Sequence, residues 1–264
     1  MPDAAPRAYT LVLDWLEERL RDGDVRVGDK LPGERALAEQ FGISRASVRE
    51  ATRIVDAMGL VRSSTGSGPV SGAVVVSEPS AALGWALRMH VATQALPVAD
   101  IVSTRVLLET ESARLAAACA RGAGGPEAGD DGPADADALS DADAPGRRRE
   151  DLLAQAGALL DRMDDPDLPH EVFHELDAQF HILLAGLSGN VVMETMMTSL
   201  REAVIGYVQE AISSRADWPT VRDGLQRDHR RILAATRAGD GEAAATALRE
   251  HILGFHALAA AATA

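Results

Sequence analysis

Residues 30–61 read KLPGERALAEQFGISRASVREATRIVDAMGLV, and the organisation of the whole chain follows from how this stretch folds. Glu34 to Phe41 is a short helical run stopped by Gly42. Ser44 is a good N-cap for a second helix that runs to about Met58, with Gly59 just past its end. Leu60–Arg62 and Pro69–Val76 are short β-branched runs split by Ser63–Gly68, which predicts a small hairpin. Upstream, Leu11, Leu13, Trp15, Leu16 and Leu20 form an amphipathic helical period ended by Asp22 and Gly23.

Two short helices joined by a tight turn and followed by a hairpin satisfy the requirements of a winged helix-turn-helix. The second helix of such a unit can enter a DNA major groove with its N-terminal residues at base edges. Here that face carries Ser44, Arg45, Ser47 and Arg49, with Arg53 one turn further on. Arg45 and Arg49 are four residues apart and share a helix face. Arginine is the commonest side chain for a bidentate contact with guanine, yet an isolated pair of arginines more often does no more than solvate a helix surface.

The total charge argues the other way at first sight. The 264 residues hold 26 Lys plus Arg against 40 Asp plus Glu, a formal −14, whereas nucleic-acid binders carry basic footprints. The acids are unevenly placed, however. Residues 122–146 (GAGGPEAGDDGPADADALSDADAPG) contain seven acids and no base, with one Leu and no aromatic, a composition that predicts a disordered surface loop. Residues 1–76 are nearly neutral, and 32–66 hold five arginines against four acids. A nearly neutral head predicts weak non-specific DNA binding and a modest salt dependence, because few phosphates can be neutralised.

The elements LPxER, LAxxFGxSRxxVREAxR and GLV within 30–61 resemble the GntR family of bacterial transcription regulators over some 30 continuous residues. The resemblance implies that Arg35, Arg45 and Arg49 contact DNA and that a wing-tip glycine, Gly66 or Gly68, approaches the minor groove. The family wing usually carries more basic residues than Ser63–Gly68, which has none. A nucleotide-binding reading of Gly66-x-Gly68 fails, because the next glycine is Gly72 and the segment opens no helix after a strand.

Downstream the pattern is helical. Pro79 with its Ser and Glu neighbours reads as a linker. From about Thr93 Ala/Leu-rich periodicity predicts helices near 97–120, 148–163, 168–187, 190–213, 217–238 and 241–261. The expected architecture is mainly α: a winged helix-turn-helix over 1–76, a linker over 77–92, and an antiparallel all-α bundle over 93–261, interrupted by the acidic insertion at 122–146.

Seven histidines are present: His90, His170, His174, His181, His229, His251 and His256. Asp177 and His181 are four apart on one predicted helix, and His229 and His251 sit among apolar residues on two others. Three imidazoles and a carboxylate meeting inside a bundle suit a divalent ion such as zinc, nickel or manganese; spacing alone leaves core histidines as an equal alternative. His174 and Glu175 do not open a metalloprotease motif, since position 178 is Ala. His90, His170, His174 and His256 are expected at the surface or in incidental positions.

RVLLE at 105–109, Leu115-Ala-Ala, Asp177-x-x-Phe-His181, Ser188-Gly-Asn190 and the pattern from His229 to His251 resemble the FCD ligand-binding domain, the mark of the FadR-type branch of that family. In its metal-containing members one Asp and three His hold the ion, and the resemblance carries these onto Asp177, His181, His229 and His251. It also implies an effector that is a small organic acid, a hydroxy acid or sugar acid whose carboxylate can take open positions on the ion. Arg105 is a candidate second clamp for that carboxylate, or else a surface partner of Glu109. Asn190 is a candidate pocket residue, though its place after Ser-Gly fits an N-cap as well.

These readings lead to a metabolite-responsive regulator rather than an enzyme, expected as a homodimeric repressor on a near-palindromic operator in double-stranded DNA. A metal-dependent enzyme on the bundle lacks an evident general base and leaves the head unexplained; a DNA binder with a silent bundle is the other alternative. Cys119 stands alone and the first ten residues have no apolar core, so a cytoplasmic protein without membrane association is expected.

Overall fold

The computed structural model describes residues 9–64, 72–120, 144–213 and 217–263. The chain divides into two compact units, residues 1–85 and 86–264. Gly66 and nearly all of the 122–146 insertion lie outside the described residues. No helix among the described residues is long and apolar enough to cross a membrane.

The first unit contains α1 (Thr10–Arg21), α2 (Glu34–Phe41), α3 (Arg45–Ala57) and an antiparallel pair, β1 (Val61–Ser64) and β2 (Gly72–Val75). Gly42 ends α2 at φ +63°, a left-handed turn that a residue without Cβ adopts freely. Ser44 then caps α3, its Oγ accepting from the Ser47 N–H at 3.1 Å. Val48, Ala51 and Val55 turn one face of α3 into the core, which leaves Arg45, Arg49 and Arg53 exposed on another. In the hairpin Val61 pairs with Val75, and both are buried against Leu16, Leu31 and Val55. Gly59 sets the entry into β1 at φ +72°, where an added Cβ would stand 2.2 Å from the Glu78 carbonyl oxygen.

The stretch expected as a linker is helical: α4 spans Pro79–Ala92. Pro79 stands at its first position, where a missing N–H costs nothing. The run after it, AALGWALRMHVA, is apolar on most sides and so shows little of the amphipathic period that marks a helix in a sequence. In the second unit Leu87 and Val91 pack beside Ile101, Leu200 and Val204.

The rest of the second unit is an α-helical bundle of α5 (Val98–Ala120), α6 (Ala144–Met163), α7 (His170–Gly186), α8 (Val191–Ser213), α9 (Trp218–Arg237) and α10 (Gly241–Thr263). Its main core joins Ala113, Leu160, Phe173, Phe180, Ile232 and Leu248 from five helices. Helices α5 and α10 approach closely through small residues: a Cβ on Gly241 would meet Ala117 Cβ at 2.9 Å and Arg114 Cα at 3.0 Å. Arg149 on α6 donates to the carbonyls of Ala116 (3.1 Å) and Thr236 (3.0 Å), near the C-terminal ends of α5 and α9. Those ends carry partial negative charge, which a guanidinium complements.

Candidate functional site

In the first unit the exposed face of α3 gathers around Glu34. Arg49 donates to it through two nitrogens, Nε to Oε1 at 3.0 Å and Nη2 to Oε2 at 2.8 Å, and Arg45 Nη2 stands 3.9 Å from Oε2. The Arg49 hydrogen bonds hold the Glu34 carboxyl below its ordinary range. Ser44 and Ser47 are tied to each other by their hydroxyls at 3.0 Å. Arg35 is exposed and 3.5 Å from Glu39. The structure thus places Arg35, Ser44, Arg45, Ser47 and Arg49 on α2 and at the start of α3.

In the second unit four helix-borne groups converge. Asp177 and His181 project from α7, one turn apart; His229 comes from α9 and His251 from α10. One ligand atom from each lies within 4.8 Å of all the others. The His229 and His251 Nε2 atoms are 3.2 Å apart, those of His181 and His251 3.3 Å. Asp177 Oδ1 is 2.9 Å from His229 Nε2 and 3.6 Å from His181 Nε2. For metal–nitrogen bonds of about 2.1 Å, donors on a common ion at angles of roughly 90–110° stand about 2.9–3.4 Å apart. Three of these four spacings fall in that range, and the Asp177–His181 distance of 3.6 Å is just wider.

The surroundings orient these rings. Glu109 on α5, fully buried, accepts from His181 Nδ1, which leaves the lone pair on Nε2, facing the other ligands. Arg105 in turn holds Glu109 through Nε (3.1 Å) and Nη2 (2.9 Å). Gln226 donates its amide nitrogen to the Leu160 carbonyl (3.0 Å) and Asp164 (2.6 Å), and this fixes its Oε1 as an acceptor 3.3 Å from His229 Nδ1. His229 is therefore also a lone-pair donor at Nε2. Around His251 the support is looser: Asp228 Oδ2 stands 3.6 Å from Nδ1, beyond hydrogen-bond range. Arg201 on α8 grips Asp177 by Oδ2 (2.6 Å) and by its backbone carbonyl (3.1 Å).

Burial, reinforced by His251, pushes His229 down to about 3, and burial likewise lowers His251. Both are neutral at pH 7, the state a ligand requires. Burial alone would raise Asp177 and Glu109. Arg201 and the imidazoles outweigh it for Asp177, as His181 and Arg105 do for Glu109, and both carboxyls lie far below their ordinary range. Arg201 itself is pushed down to about 10 by burial and by Arg105.

Beside the four ligands lies a cavity of about 40 Å³. Arg105, His174, Arg201 and His251 form its polar side; Val204, Leu225, Ile252 and Phe255 form the apolar side. Among the described residues four buried side-chain polar atoms have no hydrogen-bond partner, and three of them (His174 Nε2, Arg201 Nε, His251 Nδ1) belong to residues that line this cavity. Such orphans are rare in a native interior and mark where a ligand or ordered water completes the bonding.

Of the residues expected at an effector site, Arg105 is buried (7 % exposed), pairs with Glu109 and also lines the cavity. Asn190 is elsewhere: it caps α8, its Oδ1 accepting from the N–H groups of Val192 and Met193 at 3.1 Å each. His174, expected at the surface, is 4 % exposed. Arg201 and Gln226 stand in no recognisable motif: Arg201 reaches Asp177 from another helix, and the Gln226 amide is turned toward His229 by its bonds to Leu160 and Asp164. The one legible hint was that Gln226 precedes His229 by three residues, one turn on the same face.

Comparison with known proteins places both units. A family model described as bacterial regulatory proteins, gntR family, matches residues 8–70, and the FCD domain model matches residues 141–254. The HTH-type transcriptional regulator LutR of Bacillus subtilis is 28% identical over 237 residues, covering 88% of this chain and 92% of its own. The Glc operon transcriptional activator of Escherichia coli K12 is 25% identical over 253 residues, 96% of this chain and 89% of its own. A solved structure titled Streptococcus agalactiae GntR shares the fold at a TM-score of 0.54, with 23% identity over 93% of this chain and 95% of that one. These relatives are transcriptional regulators, not enzymes. With a GntR helix-turn-helix unit followed by an FCD effector-binding unit, the chain belongs to the GntR family of bacterial transcriptional regulators.

Proposed function

We propose that this regulator senses a small organic acid at a divalent-ion site in its helical bundle and answers by changing its hold on DNA. The ion is held by Asp177, His181, His229 and His251, and zinc suits the three nitrogens and one oxygen best, with nickel or manganese as the next choices. A divalent ion there supplies Lewis-acid positions that a carboxylate can occupy. The observation that carries the reading is the meeting of three buried imidazole Nε2 atoms and one carboxylate oxygen, with two of the rings fixed from behind by Glu109 and Gln226.

Charge balance supports an anionic effector. The charged groups around the site are two buried guanidinium ions, Arg105 and Arg201, and two carboxylates, buried Glu109 and half-buried Asp177. They cancel, so a divalent ion leaves an interior charge of +2 that a carboxylate partly neutralises. Arg105, at the cavity, is the second clamp.

In the N-terminal unit Arg35, Ser44, Arg45, Ser47 and Arg49, together with Gly66, meet double-stranded DNA. Working in the cytoplasm as a homodimer, the protein reads a near-palindromic operator, and effector binding must favour one arrangement of the reading heads over another. Repression relieved by the effector is the expected sign; a reporter under its own promoter checks it, since one relative above is named an activator.

Metal analysis of the purified protein tests the core of this reading. About one ion per chain is expected in the wild type and none in His229→Ala. A gel shift on the upstream region of its own operon, titrated with short hydroxy acids, tests the rest. A wild type empty after refolding with zinc, or a shift that no acid alters, overturns it.

A further inference from the structure

We propose that His174 is a specificity-determining residue, one that recognises a hydroxyl on the effector beyond the end that meets the ion. The proposal rests on the effector reading above. His174 lies on α7 three residues before Asp177, so the two share a helix face and are separated by about 4.5 Å along the axis. Its ring is fixed in place, tilted against Trp218 at a centroid distance of 5.3 Å and against Phe255 at 6.1 Å. It is 4 % exposed, it lines the cavity beside the four ligands, and its Nε2 has no partner.

A histidine buried among aromatics with one nitrogen unbonded is an expensive way to fill space, since an apolar residue of the same volume leaves nothing unsatisfied. The arginines are already placed for a carboxylate: Arg201 grips Asp177, and Arg105 stands by Glu109. A single imidazole nitrogen, by contrast, offers one hydrogen bond, the complement of a neutral hydroxyl. A ligand whose carboxylate meets the ion beside Asp177 needs only a short chain along α7 to bring a hydroxyl toward His174, the two residues being about 4.5 Å apart along the axis. Both residues line the same small cavity. The favoured ligand is thus a short hydroxy acid with a further hydroxyl at its far end. The apolar residues Leu225 and Phe255 then cover its carbon chain.

Glycerate and 2-hydroxybutyrate have the same number of heavy atoms and differ at the far end, where one has a hydroxyl and the other a methyl. Calorimetric titration of both into the zinc-loaded full chain therefore isolates that group. The wild type is expected to bind glycerate roughly tenfold more tightly, the worth of one buried neutral hydrogen bond. His174→Leu is expected to erase the difference while 2-hydroxybutyrate changes by no more than about twofold; His174→Gln, which keeps a polar group should Leu upset the packing, retains part of it. Equal affinities in the wild type, or a preference that survives His174→Leu, overturn the proposal. A different result marks failure of the underlying reading: neither acid binds the zinc-loaded protein, or binding persists in His229→Ala.

Discussion

Stripping the ion from the bundle is expected to lower its melting temperature by an amount that can be worked from the structure. Three imidazoles and Asp177 meet only in the folded bundle, so an ion held by them would bind the folded unit and find no comparable site in the unfolded chain. At free zinc of about 100 times the dissociation constant this linkage contributes about 2.7 kcal/mol. The C-terminal unit, 86–264, is of a size at which 1 kcal/mol moves the midpoint by about 2–4 °C, which gives an expected shift of about 5–11 °C between zinc-loaded and chelated protein. Scanning calorimetry measures it, and His229→Ala is expected to melt at one temperature whether chelator is present or not. The pH dependence has a definite sign. The folded values of His229 (about 3) and His251 are depressed below the unfolded value of about 6.5. Between these limits the unfolded chain binds more protons, so stability is full above about pH 6.5 and falls as pH drops, by up to about 1.4 kcal/mol per pH unit for each histidine. The zinc-dependent shift should shrink over the same range. Equal midpoints with and without zinc at pH 7.5, in wild-type protein shown to have taken up the ion, would refute the reasoning.

Three further outcomes are expected. Arg49→Ala should weaken binding to the operator by about 1–3 kcal/mol, roughly 5- to 150-fold, and relax preference at one guanine, read by competition with base-substituted sites. Gln226→Leu frees the His229 ring from the acceptor that orients it; zinc affinity should fall about 10- to 100-fold in a chelator competition while the fold persists by circular dichroism. Gly59→Ala combines a φ of +72° with a Cβ 2.2 Å from the Glu78 oxygen, so the N-terminal unit should lose at least about 2 kcal/mol in urea unfolding, with the bundle unaffected.

The head was legible because its signals are local. Gly42, Ser44 and the spacing of Val48, Ala51 and Val55 each act within a turn or two, and α2 and α3 lie where those signals place them. The converging ligands were legible in part for the same reason, since Asp177 and His181 announce a shared face at a spacing of four. What holds them in place was not. Arg201 and Glu109 meet their partners across helices, and Gln226, though on the helix of His229, is aimed by Leu160 and Asp164 from elsewhere in the chain; the residues next to each do not tell which guanidinium or amide the packing will turn inward. His174 was misplaced because a lone histidine next to a glutamate reads as polar surface, whereas Trp218 and Phe255, remote in the chain, bury it. Helix α4 was hidden by the opposite fault, an apolar character too uniform to show a period.

The route by which the four-residue cluster is assembled sets when an ion could first be held there. Glu109 and His181 are 72 positions apart and His181 and His251 another 70, with helices α5, α7, α9 and α10 all contributing. Contacts of such separation close late, after the loops between them have been drawn in. During synthesis at about 5–20 residues per second the whole N-terminal unit has been made about 8–33 s before His251 exists. An ion held by these four residues would therefore not template the bundle but bind one already built. A newly made molecule passes through a stage in which α3 is complete and the four-residue cluster is not.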